Sequence, residues 1–248
     1  MKNLKQNIYD NEIFFRRYKL LRQNGAGLKN AMEIPALRAQ LPPLEGLRVL
    51  DLGCGFGDFT RLARSCGTAA VTGIDISERM IEGAQELADD PCITFHETAF
   101  EDSASSECSF DLVVSSMTLH YVADYPQVVN WVYRTLKPGA RFVFSVEHPI
   151  CTSTVVGWVA DETGDLGHWP VDSYSDESIR ANRWFVDDVR KYHRTVETYV
   201  NALLKTGFQI LHLGEPVPNA EYLASKPELQ EHLRRPAVLL LAVEKPLQ

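Results

Sequence analysis

The chain has few cysteines, and those at 54, 66, 92, 108 and 151 are an odd number with no C-x-x-C spacing. Neither a disulfide framework nor a zinc site is indicated, which points to free thiols in a reducing compartment. Also lacking are an apolar signal core at the N-terminus and any apolar run near the ~18 residues of a membrane helix, so the expectation is a cytoplasmic protein with no membrane partner. Basic residues are outnumbered, 25 Lys and Arg against 33 Asp and Glu, for a net charge of -8. Phosphate contacts need a basic footprint, and none stands out, so nucleic acid is not an expected partner. The densest basic cluster (Arg183, Arg190, Lys191, His193, Arg194) is interrupted by Asp187 and Asp188; it reads as a solvated face, with an anchor for an acidic substrate as the alternative. What remains is ordinary globular material: 248 residues, 45% hydrophobic and 23% charged, enough for one α/β core and an appendage, without internal repeats.

That core is organised around Val49-Leu50-Asp51-Leu52-Gly53-Cys54-Gly55-Phe56-Gly57-Asp58-Phe59. A short apolar run ends in an acid, then in three alternating glycines, and an amphipathic segment follows: strand, tight loop, helix. Glycine is required where φ is positive or where a ligand lies against the main chain. A dinucleotide loop, G-x-G-x-x-G, would place its third glycine at position 58, where this chain has Asp58. A pyrophosphate would meet like charge there, so a phosphate-free ligand fits better. Val71-Thr72-Gly73-Ile74-Asp75-Ile76-Ser77 is a second β-run, whose acid stands 18 residues after Gly57, at the place of a ribose-binding carboxylate in α/β nucleotide folds. The ligand therefore carries a ribose.

These two blocks resemble the first and second motifs of the class I S-adenosylmethionine-dependent methyltransferases, particularly the small-molecule type. Phe110 to Val122 is similar to their fourth strand and following loop, and Leu136 to Ser145 to the turn into their fifth. Four blocks in order carry the resemblance from about Leu47 to Glu147, and it resumes from Thr195 to Lys245. It implies a doubly wound α/β fold: a seven-stranded, mostly parallel sheet of order 3-2-1-4-5-7-6, strand 7 antiparallel, with helices on both faces. The helical and β patterns along the chain agree with that architecture. One domain, 1–248, is expected, with a helical N-terminal cap (1–45), a cofactor-binding core (46–147), an aromatic-rich insertion after strand 5 (148–193) and a C-terminal helix and strand pair (194–248). The insertion, loop-rich and carrying Trp158, Trp169 and Trp184, is the expected substrate cover at the carboxyl edge of the sheet.

Residue by residue, the resemblance sets Gly53, Cys54 and Gly55 against the cofactor's amino-acid and sugar portion, with Asp51 holding the loop and helping to neutralise the ammonium. Asp75 takes the ribose hydroxyls, Ile76 and Met80 sandwich the adenine, and Ser115 approaches the methionine part. Many relatives have an acid at the position of Ala99; here the backbone of Ala99 and Phe100 is left to read the adenine edge, with Glu101 or Asp102 reaching its amine. Tyr9 and Tyr18 belong to an aromatic group that either packs an N-terminal helix on the core or lines a lid, and Trp158 and Trp184 would face the acceptor. Methyl transfer from a sulfonium is a displacement that needs alignment and exclusion of water, and no metal. Where the acceptor needs a base, His148, at the end of the fifth strand, is the candidate, with His120 and His193 as further histidines near the acceptor. The expected partner is a small-molecule acceptor, whether methylated on O, N, S or C. A dinucleotide oxidoreductase and a non-catalytic cofactor binder are the rival readings.

Overall fold

The computed structural model describes residues 5–23, 29–100 and 107–247. Helices α1 (Glu12–Gln23) and α2 (Ile34–Ala39) precede β1 (Arg48–Leu52). Then come α3 (Asp58–Ser65), β2 (Ala70–Asp75), α4 (Glu78–Glu86), β3 (Ile93–Glu97), β4 (Phe110–Ser116), α5 (Tyr125–Thr135) and β5 (Leu136–Glu147). A short α6 (Pro149–Thr152) leads into the hairpins β6 (Val159–Ala160) with β7 (Leu166–His168) and β8 (Ile179–Trp184) with β9 (Val186–Tyr192). The chain closes with α7 (Val196–Thr206), β10 (Gln209–Gly214), α8 (Ala220–Ser225) and β11 (Val238–Glu244).

Seven strands form one sheet in the order β3-β2-β1-β4-β5-β11-β10, with β11 antiparallel to both neighbours. With β10 and β11 counted as sixth and seventh, this is the order the sequence resemblance implies. Alternation along the strands divides the core in two, because successive side chains point to opposite faces. Leu50, Val113, Phe142, Phe144, Leu239 and Leu241 pack on one face with Val128 and Val132 of α5 and Tyr199 and Leu203 of α7. Val49, Leu112, Val114, Val143 and Leu240 pack on the other with Leu37 of α2 and Ala63 of α3. Central strands buried on both faces read as continuous apolar runs, as β1 and β4 do.

Side-chain caps mark the helix starts. Ser77 accepts a hydrogen bond from Met80 N and caps α4, Asp124 accepts from Gln127 N and caps α5, and Thr195 accepts from Thr198 N and caps α7. Lys137-Pro138-Gly139 lies inside β5 as a bulge, Gly139 at φ 77, between the pairs Phe110–Leu136 and Leu112–Arg141. The insertion expected to be loop-rich is more regular than that, since β8 and β9 pair from Ile179–Tyr192 to Trp184–Val186. Charged and small residues in this stretch mask the alternation by which a strand is normally recognised. Phe185, alone at the hairpin turn, takes φ 62.

Candidate active site

The carboxyl ends of β1, β2, β4 and β5 open on a cavity of about 1200 Å³, closed over by the N-terminal segment and the β8–β9 hairpin. Its floor is the glycine loop. Gly53 N and Cys54 N both donate to Ile74 O, at 2.8 and 3.0 Å, which binds the end of β1 to the end of β2. Gly53 takes φ 74, and a Cβ there would overlap the Thr118 side chain. Gly55 takes φ 52, and a Cβ there would meet nothing within 4 Å, so its constraint is the backbone conformation and the room it leaves on the cavity side.

Asp75 is the hinge of this floor. Its Oδ2 accepts from Gly55 N at 2.9 Å and its Oδ1 from Ser77 N at 3.0 Å, so one carboxylate ties the glycine loop to the start of α4. Burial pushes its carboxyl above the ordinary range, against the pull of these backbone donors. Asp51 is buried and its Oδ2 accepts from Thr60 Oγ1 at 2.8 Å, holding α3 against β1. Asp58, the first residue of α3, pairs with Arg22 of α1 and with Arg61. Cys54, Ile76, Met80, Ala99 and Phe100 complete this side of the wall, and burial pushes the Cys54 thiol up. Glu101 and Asp102 lie outside the described residues.

The opposite side is aromatic. Tyr9 meets Phe14, Tyr18 and Tyr121 edge-on with centroids 5.0, 5.1 and 6.3 Å apart, and Trp184 meets Phe14 and Tyr18 at 5.1 and 6.1 Å. The N-terminal segment is stitched to both the core and the cover. Asn7 Nδ2 donates to Ile76 O at 3.1 Å, Ser77 Oγ donates to Asp10 Oδ1 at 2.5 Å, and Gln6 bonds the backbone of Asp188 and Arg190 at 2.8 Å each. Burial raises the pKa of the Tyr9, Tyr18 and Tyr121 phenols above the ordinary value and holds them protonated.

The expected site residues divide into two groups. Asp51, Gly53, Cys54, Gly55, Asp75, Ile76, Met80, Ala99, Phe100, Tyr9, Tyr18, His120 and Trp184 all line the one cavity, whereas Ser115, His148, Trp158 and His193 are not part of its lining. Ser115 is fully buried, its Oγ donating to Leu52 O at 2.9 Å as a tie between β4 and β1; Ser116, one residue on, lines the cavity instead. His148 leaves β5 as expected, but its ring turns away. Nδ1 accepts from Ile150 N at 3.1 Å, capping α6, so Nε2 carries the proton it donates to Glu215 Oε1 at 2.9 Å. Burial lowers its pKa and favours that neutral form. His193 is held between Thr152 Oγ1 at 2.7 Å and Tyr174 O at 2.9 Å. Trp158 packs against Trp169 and under Arg234. His120 does line the cavity; its Nδ1 accepts from Glu147 N at 3.2 Å, and burial, then Lys191 and Arg194, lower its pKa well below normal.

Among the lining residues missed from the sequence are Glu33, Met117, Asn182 and Glu147, whose carboxylate pairs at 2.5 Å with Lys191 of the basic cluster. The glycine spacing could not show them. Only Met117 had a usable signal, being two residues past Ser115 in the loop after β4, where its φ is 54.

A family model described as a methyltransferase domain matches residues 26–213. An S-adenosylmethionine-dependent methyltransferase of known structure from Mesorhizobium loti is 43% identical, covers 88% of this chain and all of its own (100%), and superposes with a TM-score of 0.82. An uncharacterised protein of Haemophilus influenzae is 32% identical over 98% of both chains. The trans-aconitate 2-methyltransferase of Deinococcus radiodurans is 34% identical over 49% of this chain and 46% of its own length. With the glycine loop and Asp75 joined in one cavity floor, the chain belongs to the S-adenosylmethionine-dependent methyltransferase family.

Proposed function

We propose that this enzyme methylates a small molecule held between the sheet edge and the aromatic cover. The observation that carries the reading is the single cavity of about 1200 Å³ running from the glycine loop to the β8–β9 hairpin. Pockets for one drug-sized ligand occupy roughly 300–1,000 Å³, so this one has room for a cofactor and an acceptor together. When bound, S-adenosylmethionine supplies an electrophilic methyl group on sulfur. Gly53 and Gly55 admit its amino-acid and sugar portion to the backbone, Asp75 takes the ribose diol, and Ile76 and Met80 flank the adenine, with the Ala99 and Phe100 backbone at its edge.

The acceptor side is lined by Tyr9, Tyr18, Tyr121 and Trp184, which favours an acceptor with an apolar or aromatic body. The protein's contribution is then alignment and exclusion of water. His148 acts as a brace for the turn after β5, since both ring nitrogens are committed. The division into an N-terminal cap (1–45), a core (46–147), a cover (148–193) and a C-terminal unit (194–248) follows these roles, and nucleic acid is no partner in this reading. Transfer of label from methyl-labelled cofactor to a small-metabolite library tests it. Labelling of at least one small acceptor, abolished by excess S-adenosylhomocysteine, is expected; labelling of nucleic acid or protein alone would overturn it.

A further inference from the structure

A carboxylate outside every recognised motif faces the same cavity. Glu33 closes the π-helical turn Lys29–Glu33 that leads into α2, is 1% exposed and belongs to the cavity lining. Its Oε1 accepts from Ser116 Oγ at 3.0 Å and Ser145 Oγ at 2.6 Å, at the carboxyl ends of β4 and β5. Among the described residues its Oε2 is buried without a hydrogen-bond partner. Two hydroxyls satisfy one oxygen but bring no positive charge, and a buried carboxylate lacking a counter-charge is far more costly than a paired one.

The adjoining backbone is strained at the same place. Met117 holds φ 54, and its N–H donates to both Ser145 O and Ser145 Oγ at 3.0 Å. Ser145 Oγ thus accepts from Met117 while donating to Glu33, so the carboxylate and the loop after β4 form one unit. Left-handed backbone in a bulky residue persists where the surroundings over-determine it, and such positions cluster at ligand clamps.

We propose that Glu33 is an ammonium-recognition residue of the cavity, its Oε2 taking a donor and a counter-charge from a protonated amine at the β4 and β5 ends. The inference deepens the methyltransferase reading. The amine has two sources: the α-ammonium of the cofactor's methionine part, or an amine on the methyl acceptor.

Calorimetry on Glu33→Gln separates them, because glutamine keeps an oxygen for the two serines while removing the charge and replacing the Oε2 acceptor with an amide donor. The probes are S-adenosylhomocysteine and its analogue lacking the α-amino group. If the cofactor is the source, Glu33→Gln loses about 10-fold in affinity for S-adenosylhomocysteine and little for the analogue, the size of one charge-assisted hydrogen bond. If the acceptor is the source, both probes bind as in the wild type, while labelled-methyl transfer to amine-bearing acceptors falls about 10-fold and transfer to amine-free ones does not. Wild-type binding to both probes overturns the proposal when methyl transfer is also unchanged or touches no amine-bearing acceptor. The binding arm needs no acceptor, so it reads out even where the small-molecule assignment fails. Glu33→Asp, which keeps the charge but retracts it, is the second variant should Gln not fold; it should show the same selective loss, in the ammonium-bearing probe if the cofactor is the source and in transfer to amine-bearing acceptors if the acceptor is.

Discussion

On the glycine-loop side the cavity wall is main chain and one carboxylate, braced by Gly53, Cys54, Gly55 and Ser77 amides that converge within 2.8 to 3.0 Å on Ile74 and Asp75. On the cover side it is aromatic rings from segments far apart in sequence, Tyr9 and Tyr18 against Trp184, resting on one another edge to face. The first half is set by strand register and tolerates no side chain at Gly53. The second half is adaptable, since rings can repack around acceptors of different shape. A fold that keeps one cofactor and changes acceptors needs that division: fixed geometry where the invariant ligand sits, and replaceable side chains where the variable one does.

The strongest attempt to break the comparison falls on the floor. Gly53→Ala forces a Cβ into Thr118 at φ 74, and Asp75→Ala removes both the brace to Gly55 and the proposed diol ligand. Each should weaken S-adenosylhomocysteine binding by about 100-fold or more, as strain or lost charged hydrogen bonds of ~3 kcal/mol require. Isothermal titration calorimetry measures it. Affinity within a few-fold of wild type would mean that the floor is no more demanding than the cover.

Trp184→Ala probes the other half. It removes edge contacts to Phe14 and Tyr18 and the stack on Phe185, with centroids 5.1 Å apart. The acceptor KM should rise about 10-fold, matching the ~1.4 kcal/mol expected of an aromatic contact, while S-adenosylhomocysteine affinity moves less than about 3-fold. Equal losses in both would show that the halves are one cooperative unit.

The same contrast explains what could be read in advance. The floor was legible because its demands fall on residue types: only glycine suits φ 74 beside Thr118, and the acid ending β2 stands at a set distance from the loop. Strand order followed from the family resemblance; the alternation of helical and β patterns gave a parallel sheet with helices on both faces. The cover was not legible in the same way, since Trp184 reaches Tyr18 only after the β8–β9 hairpin folds back across the N-terminal helix, and no spacing encodes that meeting. His148 shows the limit well. Its place at a strand end was right, but whether a ring faces the cavity or Glu215 depends on a side-chain partner 67 residues away. Glu33 carried no pattern at all until Ser116 and Ser145 were brought to it.

Acid titration should separate the halves by sign. On the cover side, His120 is buried neutral with a pKa well below normal. Its unfolded form binds a proton below pH ~6.5 where the native form does not, so its contribution is intact above that pH and is lost as pH falls, by up to ~1.4 kcal/mol per pH unit. On the floor, Asp75 has a raised pKa, so its contribution is fully present below the unfolded value near ~3.9 and is lost as pH rises through the folded value. Urea midpoints between pH 7 and 5 should therefore fall in the wild type and fall less steeply in His120→Asn. An unchanged slope in that variant would place the proton uptake elsewhere.

The smallest effect is expected where the halves are latched together. Arg22 of α1 reaches Asp58 at the start of α3, but the pair is open to solvent, with side chains 28% and 51% exposed, and Asp58 keeps Arg61 at 2.7 Å when Arg22 is removed. An exposed pair contributes about 0–1 kcal/mol, so Arg22→Ala should change the melting temperature little. The latch instead joins α1 to the floor, and its loss should appear as a rate: release of S-adenosylhomocysteine accelerated about 2- to 5-fold, an effect that vanishes in high salt because the pair is screened there. Stopped-flow displacement at low and high ionic strength measures it. A change in release that persists at high salt would mean that Arg22 acts through packing of α1 on the aromatic side, and the boundary between the two halves would then run through that helix.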